Sequence, residues 1–254
     1  MLRGLVTALR TLTLLRVPGK DTEHFASSLY WFPLVGLLVG GTAAGLAWTG
    51  ACAGWPELSA TLALAGGIVL TRGLHADGLA DMADGFFGGR TREASLRIMK
   101  DSNIGSFGAL ALILVMLFKW IALLELSRLH AFGMIASGGM LARMAQVLLA
   151  ATLPYARPGG GTATNFVEGA GTRHLFVALC SAALLLMPLV HFDLFPALVL
   201  MMGASLSAAS MVLLSRRKIE GVTGDVLGAS SEITETVVWL TAALLFRIPL
   251  FTGR

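Results

Sequence analysis

The sequence contains little charge for its length. Asp, Glu, Lys and Arg together make up 13% of the 254 residues, whereas about 25% is usual in a soluble domain. Hydrophobic residues make up 56%, and the mean hydropathy is +0.77. Because a soluble chain of this composition could not cover its apolar core with polar surface, the composition predicts a multi-pass membrane protein.

Cysteine is also scarce. The two cysteines, Cys52 and Cys180, lie in or beside apolar segments, which excludes a disulfide framework and predicts small packing residues. No array of basic and aromatic residues indicates nucleic-acid binding. The net charge of +4 therefore points to membrane topology and to contact with acidic lipid.

The N-terminal stretch MLRGLVTALRTLTLLR lacks the features of a signal peptide. Arg10 interrupts its apolar run, and no small-residue cleavage site follows. Leucine and valine recur at helical spacing, and Arg3 and Arg10 fall together seven residues apart. Residues 1–16 are therefore expected to form an amphipathic helix that lies at the membrane surface.

Seven apolar segments are long enough to span a bilayer, which takes about 20 residues. Their approximate ranges are 31–50, 57–74, 105–125, 131–153, 174–192, 196–214 and 232–251. The expected fold class is all-α: a polytopic membrane bundle of about seven helices, forming a single domain over residues 1–254. The sequence leaves open whether the chain forms a homo-oligomer.

Basic residues are concentrated in the segments that share one side of this bundle. With seven spans, the N-terminal side carries fourteen of the nineteen lysines and arginines, and the opposite side carries three. The positive-inside rule makes the basic side cytoplasmic. Asp77, Asp81, Asp84, Asp101 and Asp225 fall on the same side, so a site that faces the cytoplasm is predicted.

The stretch HADGLADMADGFFGG places Asp77, Asp81 and Asp84 close together without a lysine or arginine between them. On a helix, offsets of four and seven residues put the three carboxylates within about 60° of one face. Their repulsion costs roughly 0.2–0.5 kcal/mol per pair in water, so a compensating partner is expected. Carboxylates suit Mg²⁺, Mn²⁺ or Ca²⁺, and Mg²⁺ usually shares its shell with substrate phosphates. The alternative is a solvated acidic helix end. We refer to Asp77, Asp81 and Asp84 as the acidic string.

Basic residues next to the acidic string suit a diphosphate substrate. Arg90 and Lys100 are candidates for substrate binding, although positive-inside bias also explains basic residues here. Asp101 is a candidate for a further ligand or for the general base, with a helix cap as the alternative. His75 could orient a phosphate, act as base, or cap a helix end. These residues define a predicted active-site segment, 72–104.

Four further candidates lie elsewhere in the chain. Arg143 falls inside a predicted span, where a charge is costly and is functional by default; it could bind a phosphate or form a structural ion pair. Tyr155 and Arg157, in YARPGGGTATN, could bind a phosphate or nucleotide, or the stretch could be a flexible connection. Asp225 could complete the site from the cytoplasmic end of the last span.

Two expectations concern other charges in the spans. Lys119 is expected to extend its long side chain to the bilayer surface. Glu232 and Glu235 lie one turn apart, and a solvated helix start explains them as well as a part in the site does.

Several of these stretches carry a family resemblance. GLHADGLADMADGFFGG, followed by RIMKDSNIGSFGALALIL, resembles the cobalamin synthase family, also called the adenosylcobinamide-GDP ribazoletransferases. WFPLVGLLVG, ARMAQVLLAATLPYARPGG and GDVLGASSEITE are similar to other stretches of that family, in the expected order over nearly the whole chain. The resemblance implies an enzyme of the prokaryotic inner membrane that joins adenosylcobinamide-GDP to α-ribazole or α-ribazole 5′-phosphate, releases GMP and requires Mg²⁺.

The implied chemistry agrees with the residues. A ribazole hydroxyl would attack the phosphate attached to cobinamide, with the metal neutralising charge. The expected metal ligands are Asp77, Asp81 and Asp84, and the expected catalytic residues are Asp101, His75 and Asp84. The expected substrate-binding residues are Arg90, Lys100, Arg143, Tyr155, Arg157 and Asp225.

A looser resemblance links the acidic string to the CDP-alcohol phosphotransferases. Asp81, Asp84 and Gly85 match the opening of their pattern, D-x-x-D-G-x-x-A-R, but glycines stand where Ala and Arg are expected, and the closing aspartate is absent. A lipid-directed phosphotransferase is therefore one alternative function. A divalent-cation transporter is another, although it would favour carboxylates deep in several spans. A structural subunit would leave the acidic string unexplained.

Overall fold

The computed structural model describes residues 2–247, and this part of the chain consists of helices joined by turns and loops. Its α-helices, with a 3₁₀ helix at Phe25–Trp31 before the second, are α1 Leu2–Leu12, α2 Phe32–Cys52, α3 Pro56–Leu70, α4 Leu74–Gly88, α5 Arg92–Ile98, α6 Ser106–Arg128, α7 Phe132–Thr152, α8 Thr164–Val167, α9 Thr172–Leu189, α10 Leu194–Ile219 and α11 Gly224–Leu245. The predicted all-α fold class is confirmed.

Length and hydropathy identify five candidate membrane spans in the described residues: α2 with its preceding 3₁₀ helix, α6, α7, α9 and α10. α3 and α4 pass the same test only together, bent by 85° at the break between them, which would make six. α11 covers most of the seventh predicted span, but Glu232 and Glu235 make it less apolar. The chain is a multi-pass membrane bundle, as predicted. Residues 248–251 of the seventh predicted span lie outside the described residues.

The N-terminal helix is shorter than the predicted 1–16. α1 ends at Leu12, and the chain turns back, held by the Arg10 guanidinium. This group donates to the Val17 carbonyl oxygen at 2.9 and 3.1 Å and pairs with Asp21 at 3.0 Å. The helix is amphipathic, since one face is buried through Gly4, Thr7, Ala8 and Leu12. Its position at the membrane surface stays a prediction, and Met1 lies outside the described residues.

α7 forms the centre of the bundle. Over an apolar stretch of 18 residues in α7, 89% of the residues are buried, whereas the corresponding values are 22% for α6 and 17% for α9. α2, α9, α10 and α11 all pack on it. The outer helices turn apolar side chains outward, as Leu110, Leu114 and Leu117 of α6 do. Such a surface suits lipid, which offers no hydrogen bonds to polar groups.

α2 and α7 approach each other through glycines on both helices. A Cβ added to Gly36 would clash with the carbonyl oxygen of Gly139, and one added to Gly40 would clash with that of Ala136. A Cβ on Gly139 would lie 2.7 Å from the Gly36 carbonyl oxygen. Close van der Waals packing of small residues drives helix association in lipid. We refer to Gly36, Gly40 and Gly139 as the glycine seam.

Replacing Gly40 by alanine is expected to destabilise the protein by about 1–3 kcal/mol, because the added methyl group forces α2 away from α7. Gly41→Ala is the matched control, one residue further on the same helix, where an added Cβ meets no atom of the described residues within 4 Å. That variant is expected to be neutral or to gain up to about 1 kcal/mol from helix propensity. Unfolding of both purified variants in one detergent measures the difference, and equal stabilities would contradict the tight contact.

Candidate active site

A sharp bend before α4 sets the direction of the acidic helix. α3 ends at Leu70, and the Gly73 N–H donates to the carbonyl oxygen of Ile68 at 2.8 Å. Arg72 and Gly73 have positive φ angles of 56° and 66°, a conformation that commonly ends a helix. α4 then runs at 85° to α3. The acidic string is therefore a separate helix, and the second predicted span does not continue straight into it.

Asp84 binds the first turn of α6. Its carboxylate accepts hydrogen bonds from the N–H groups of Gly105 and Gly108, at 2.7 and 2.8 Å, and the residue is only 9% exposed. The unpaired N–H groups and the dipole of a helix N-terminus stabilise a negative charge there. A Cβ on either glycine would collide with the carboxylate. Asp84 thus links α4 to α6, and its roles in metal binding and catalysis stay predictions.

Asp77 and Asp81 lie on the more open face of α4. Asp77 is exposed and Asp81 is half-buried, and a separation of four residues on a helix brings their Cβ atoms to about 6 Å. α11 adds a third carboxylate, Asp225, because α4 and α11 touch through Gly78 and Gly228. A Cβ on Gly78 would lie 2.8 Å from the carbonyl oxygen of Asp225. We refer to Asp77, Asp81 and Asp225 as the carboxylate cluster.

Arg157 brings positive charge to this cluster. Its guanidinium donates to Asp225 at 2.6 Å and to the Met99 carbonyl oxygen at 3.2 Å. Asp81 is repelled by the charges of Asp225 and Asp77 and attracted by that of Arg157. One cation against three carboxylates leaves net negative charge, which a cationic partner would offset.

The carboxylate cluster fits a magnesium ion by its chemistry, although it is not a preformed metal cage. Within residues 2–247 no group of three or more His, Cys, Asp or Glu side chains could hold a metal ion. Mg²⁺, however, usually binds through one or two carboxylates and completes its shell with water and substrate phosphates. Asp77 and Asp81 suit that role, and the requirement for Mg²⁺ stays a prediction.

The loop between α7 and α8 is fastened to the start of α11. Tyr155 forms a β-bridge with Val222. The Val222 N–H donates to the carbonyl oxygen of Pro154 at 2.8 Å, and the Ala156 N–H donates to the carbonyl oxygen of Val222 at 2.9 Å. The Tyr155 hydroxyl is buried and has no hydrogen-bond partner in the described part of the chain. This end of the glycine-rich stretch is therefore held in place, while the binding roles of Tyr155 and Arg157 stay predictions.

A buried cluster of charges joins four helices behind the site. Lys119 of α6 pairs with Glu232 and Glu235 of α11 at 2.5 and 2.6 Å. Arg143 of α7 pairs with Glu235 at 3.5 Å and donates to Nδ1 of His75, on α4, at 3.2 Å. None of the five residues is more than 8% exposed. In this buried charge network two cations balance two anions, as burial away from water requires.

The buried charge network corrects two expectations. Lys119 does not extend to the bilayer surface, because two carboxylates hold its ammonium group inside the bundle. Glu232 and Glu235 are not a solvated helix start, because α11 begins at Gly224 and both side chains are buried against Lys119. Arg143 forms the structural ion pair that the sequence left open as its alternative, and its role in substrate binding stays a prediction.

The segment between α4 and α6 exposes Arg90, Lys100 and Asp101. The backbone N–H and side-chain amide of Asn103 donate to the Asp101 carboxylate at 3.0 and 2.8 Å. These bonds hold the pKa of Asp101 below its ordinary value. Asp101 does not cap α6, whose N-cap is Gly105. It is therefore an ionised, accessible carboxylate at neutral pH.

A cavity of about 330 Å³ opens beside the carboxylate cluster, between α1, α4, α8 and α11. We refer to it as the α1–α4 cavity. Its polar wall carries His75, Asp77 and Asp225. Its apolar wall carries Leu12, Leu29, Phe32 and Phe166.

Sequence reasoning missed several residues of this region. Arg72, Gln146 and Phe166 line the α1–α4 cavity, but they come from separate elements and no local motif marks them. Arg92 fastens α5 by donating to the carbonyl oxygens of Ala156 and Ile219, at 2.7 and 3.0 Å. The only sequence signal for Arg92 was its place among other basic residues.

Asp84→Ala is expected to lower the free energy of unfolding by about 1–3 kcal/mol, because buried N–H groups of α6 lose their acceptor. Asp81→Ala is the matched control on the same helix. It removes a carboxylate that its neighbours repel, so its stability is expected to equal or exceed that of the unchanged protein. Denaturant unfolding in detergent measures the stability of both variants. A larger loss of stability for Asp81→Ala than for Asp84→Ala would contradict the structural role of Asp84.

Lys119→Met is expected to destabilise the protein by about 3–5 kcal/mol, because Glu232 and Glu235 remain buried with too little positive charge. Adding Glu232→Gln to that variant restores the charge balance and should recover part of the loss. The same unfolding measurement compares the single and double variants. A double variant no more stable than the single one would contradict the charge-balance explanation.

Comparison with known proteins agrees with the resemblance seen in the motifs. The family profile described as cobalamin-5-phosphate synthase matches residues 4–243. A protein from Chlorobaculum tepidum named adenosylcobinamide-GDP ribazoletransferase is 65% identical over 244 residues, covering 96% of each chain. A protein of the same name from Chlorobaculum parvum is 64% identical with the same coverage.

A more distant relative supports the same assignment. The adenosylcobinamide-GDP ribazoletransferase of Syntrophobacter fumaroxidans is 41% identical over 94% of this chain and 98% of its own length. No solved structure gives a significant match. Because the family profile and these relatives cover almost the whole sequence, the chain belongs to the cobalamin-5-phosphate synthase family.

Proposed function

We propose that the chain transfers the cobinamide phosphate of adenosylcobinamide-GDP to α-ribazole or α-ribazole 5′-phosphate, a late step in making cobalamin. The names of its full-length relatives support the choice of substrates. The observation that carries the chemistry is the carboxylate cluster, which lies with one guanidinium beside the α1–α4 cavity. Phosphoryl transfer depends on positioning and on neutralising charge, and this arrangement supplies the groups for both.

The proposed reaction replaces a phosphoanhydride bond with a phosphate ester bond. A ribazole hydroxyl oxygen forms a bond to the phosphorus that carries cobinamide, and the bond from that phosphorus to GMP breaks. GMP leaves with the bridging oxygen, and the hydroxyl proton passes to a base. Arg157, held by Asp225, is suited to bind phosphate oxygens, and Arg90 and Lys100 are accessible for the same purpose.

The carboxylates of α4 are the proposed metal ligands. Asp77 and Asp81 would hold Mg²⁺, with Asp84 as the further predicted ligand. When bound, the ion would neutralise charge on the phosphate oxygens.

Two residues compete for the role of base. Arg143 can only donate, so Nδ1 of His75 must accept and Nε2 must carry the ring proton. In that state His75 is a hydrogen-bond donor, which suits orienting a phosphate oxygen. Asp101 is ionised and exposed, so it is the better candidate to take the proton from the ribazole hydroxyl.

We further propose that the enzyme resides in the inner membrane of a prokaryote with its site facing the cytoplasm. The support is the uneven distribution of basic residues between the two sides of the bundle. Arg157, on the basic side, binds Asp225 of the carboxylate cluster, and Arg92, also on the basic side, donates to the carbonyl oxygen of the neighbouring Ala156. Both substrates would then be drawn from the cytoplasm.

The proposed function predicts that the purified protein in lipid releases GMP from adenosylcobinamide-GDP when α-ribazole 5′-phosphate and Mg²⁺ are present. Chelation of Mg²⁺ is expected to abolish release. Asp77→Asn and Asp81→Asn are each expected to lower the rate at least about a hundredfold, because the ion loses a ligand beside the phosphate. Chromatographic measurement of GMP follows the reaction.

Glu168→Gln serves as the matched control, since it removes an exposed carboxylate that is not part of the carboxylate cluster and should retain the full rate. Thermal unfolding confirms that each variant is folded. If the folded wild type released no GMP, the proposed function would fail. Lipid alcohols would then be tested as acceptors, followed by cation flux.

A further inference from the structure

The α1–α4 cavity has two chemically different walls. Phe32 and Phe166, whose ring centroids lie 6.3 Å apart, form its apolar wall with Leu12 and Leu29. The opposite wall is polar and includes His75. A volume of about 330 Å³ is at the small end of ligand pockets. It suits a nucleoside, and it is far too small for a corrin ring.

Two buried side chains of this cavity contain polar atoms without partners. Gln146 and His75 are 3% and 2% exposed, and within the described residues Gln146 Oε1 and His75 Nε2 make no hydrogen bond. The Gln146 amide N–H₂ donates to the Leu227 carbonyl oxygen at 3.2 Å, which leaves its oxygen as an acceptor. One acceptor and one donor match sugar hydroxyls, which both donate and accept. Leaving such atoms unpaired is costly, so a polar ligand is expected.

Arg72 gives the cavity a positive charge suited to a phosphate. It is exposed, and its guanidinium makes one long contact, 3.5 Å to the Arg10 carbonyl oxygen. Arg157, which Asp225 holds and which suits the reacting phosphate, is not among the described residues that line this cavity. Arg72 also lines a neighbouring groove with Arg10 and Arg16. One end of the cavity therefore opens onto basic surface.

Building on the proposed function, we propose that the α1–α4 cavity is the acceptor subsite and that it recognises the phosphorylated riboside. The methylated benzimidazole of α-ribazole has no N–H group and packs on Phe32 and Phe166. The ribose hydroxyls meet Gln146 and His75, beside Asp77 and Asp225. The 5′-phosphate binds Arg72. Guanine would instead present adjacent N–H donors to a wall of apolar side chains, and would leave them unpaired.

Kinetics with both acceptors test the role of Arg72. Arg72→Asn is the informative variant, because asparagine tolerates the positive φ of 56°. It is expected to raise KM for α-ribazole 5′-phosphate about tenfold, through loss of one charged contact. KM for α-ribazole and for adenosylcobinamide-GDP should stay within about twofold. Arg72→Lys should restore most of the affinity, and Arg217→Ala, an exposed arginine elsewhere, should change nothing.

Other kinetic outcomes would overturn the proposal. An equal rise in KM for both ribosides would show that Arg72 does not read the phosphate. A rise for adenosylcobinamide-GDP alone would assign the cavity to the donor nucleotide. Unchanged constants in Arg72→Asn would remove Arg72 from recognition altogether.

Calorimetric binding of α-ribazole 5′-phosphate, without the second substrate, separates this proposal from the proposed function. The wild type should bind it, and Ala163→Leu, which fills the cavity from its wall, should lose binding while its unfolding temperature is retained. Binding without GMP release would contradict the proposed reaction and keep the subsite. If the wild type released GMP, and if Arg72→Asn and Ala163→Leu matched it in binding and kinetics, the proposed reaction would stand and the subsite would be contradicted.

Discussion

The charge balance of the buried network is the constraint on which the rest of the site depends. Lys119, Arg143, Glu232 and Glu235 come from three helices, and each would be costly alone in the interior of a membrane protein. Their attraction therefore favours one alignment of α6, α7 and α11. Through Arg143 the network also holds His75, and with it α4. The face of α4 that carries Asp77 and Asp81 is thus positioned by a group of charges that itself lies away from solvent.

The acidic residues of α4 divide into a structural and a chemical group. Asp84 accepts hydrogen bonds from the first turn of α6 and so contributes to the scaffold. Asp77 and Asp81, with Asp225, repel one another in the free protein. Such repulsion lowers stability, and the proposed binding of a cation would relieve it. Neighbouring carboxylates on a single helix thus serve the scaffold and the proposed chemistry.

Regular spacing and composition made much of this predictable. The apolar segments indicated a helical membrane bundle, and the offsets between Asp77 and Asp81 placed them correctly on one helical face. The partners of charges inside spans were harder to predict. The sequence shows that the neighbours of Lys119 are apolar, but it does not show that α11 brings carboxylates to it. The bend at Arg72 and Gly73 was also hidden, since a single glycine is compatible with a continuous helix.

The cavity was out of reach for a different reason. Arg72, Gln146 and Phe166 lie on separate elements, and only the folded arrangement brings them to one cavity. Gln146 stands in a stretch that resembles the family but follows no chemical pattern there, and Phe166 stands in no motif. Spacing rules describe one helix at a time, whereas a pocket is made by several. Local patterns therefore located the acidic half of the site and missed its apolar half.

The glycine seam has a consequence for the history of the sequence. Every amino acid other than glycine carries a Cβ, so no single-nucleotide change in the codons for Gly36, Gly40 or Gly139 yields a side chain that fits between α2 and α7. Substitution at these three positions is therefore expected to be selected against. The outward faces of α6 and α9 need only remain apolar, and they can accept many replacements. Divergence among relatives should therefore collect where the protein meets lipid, and the contact at its centre should stay fixed.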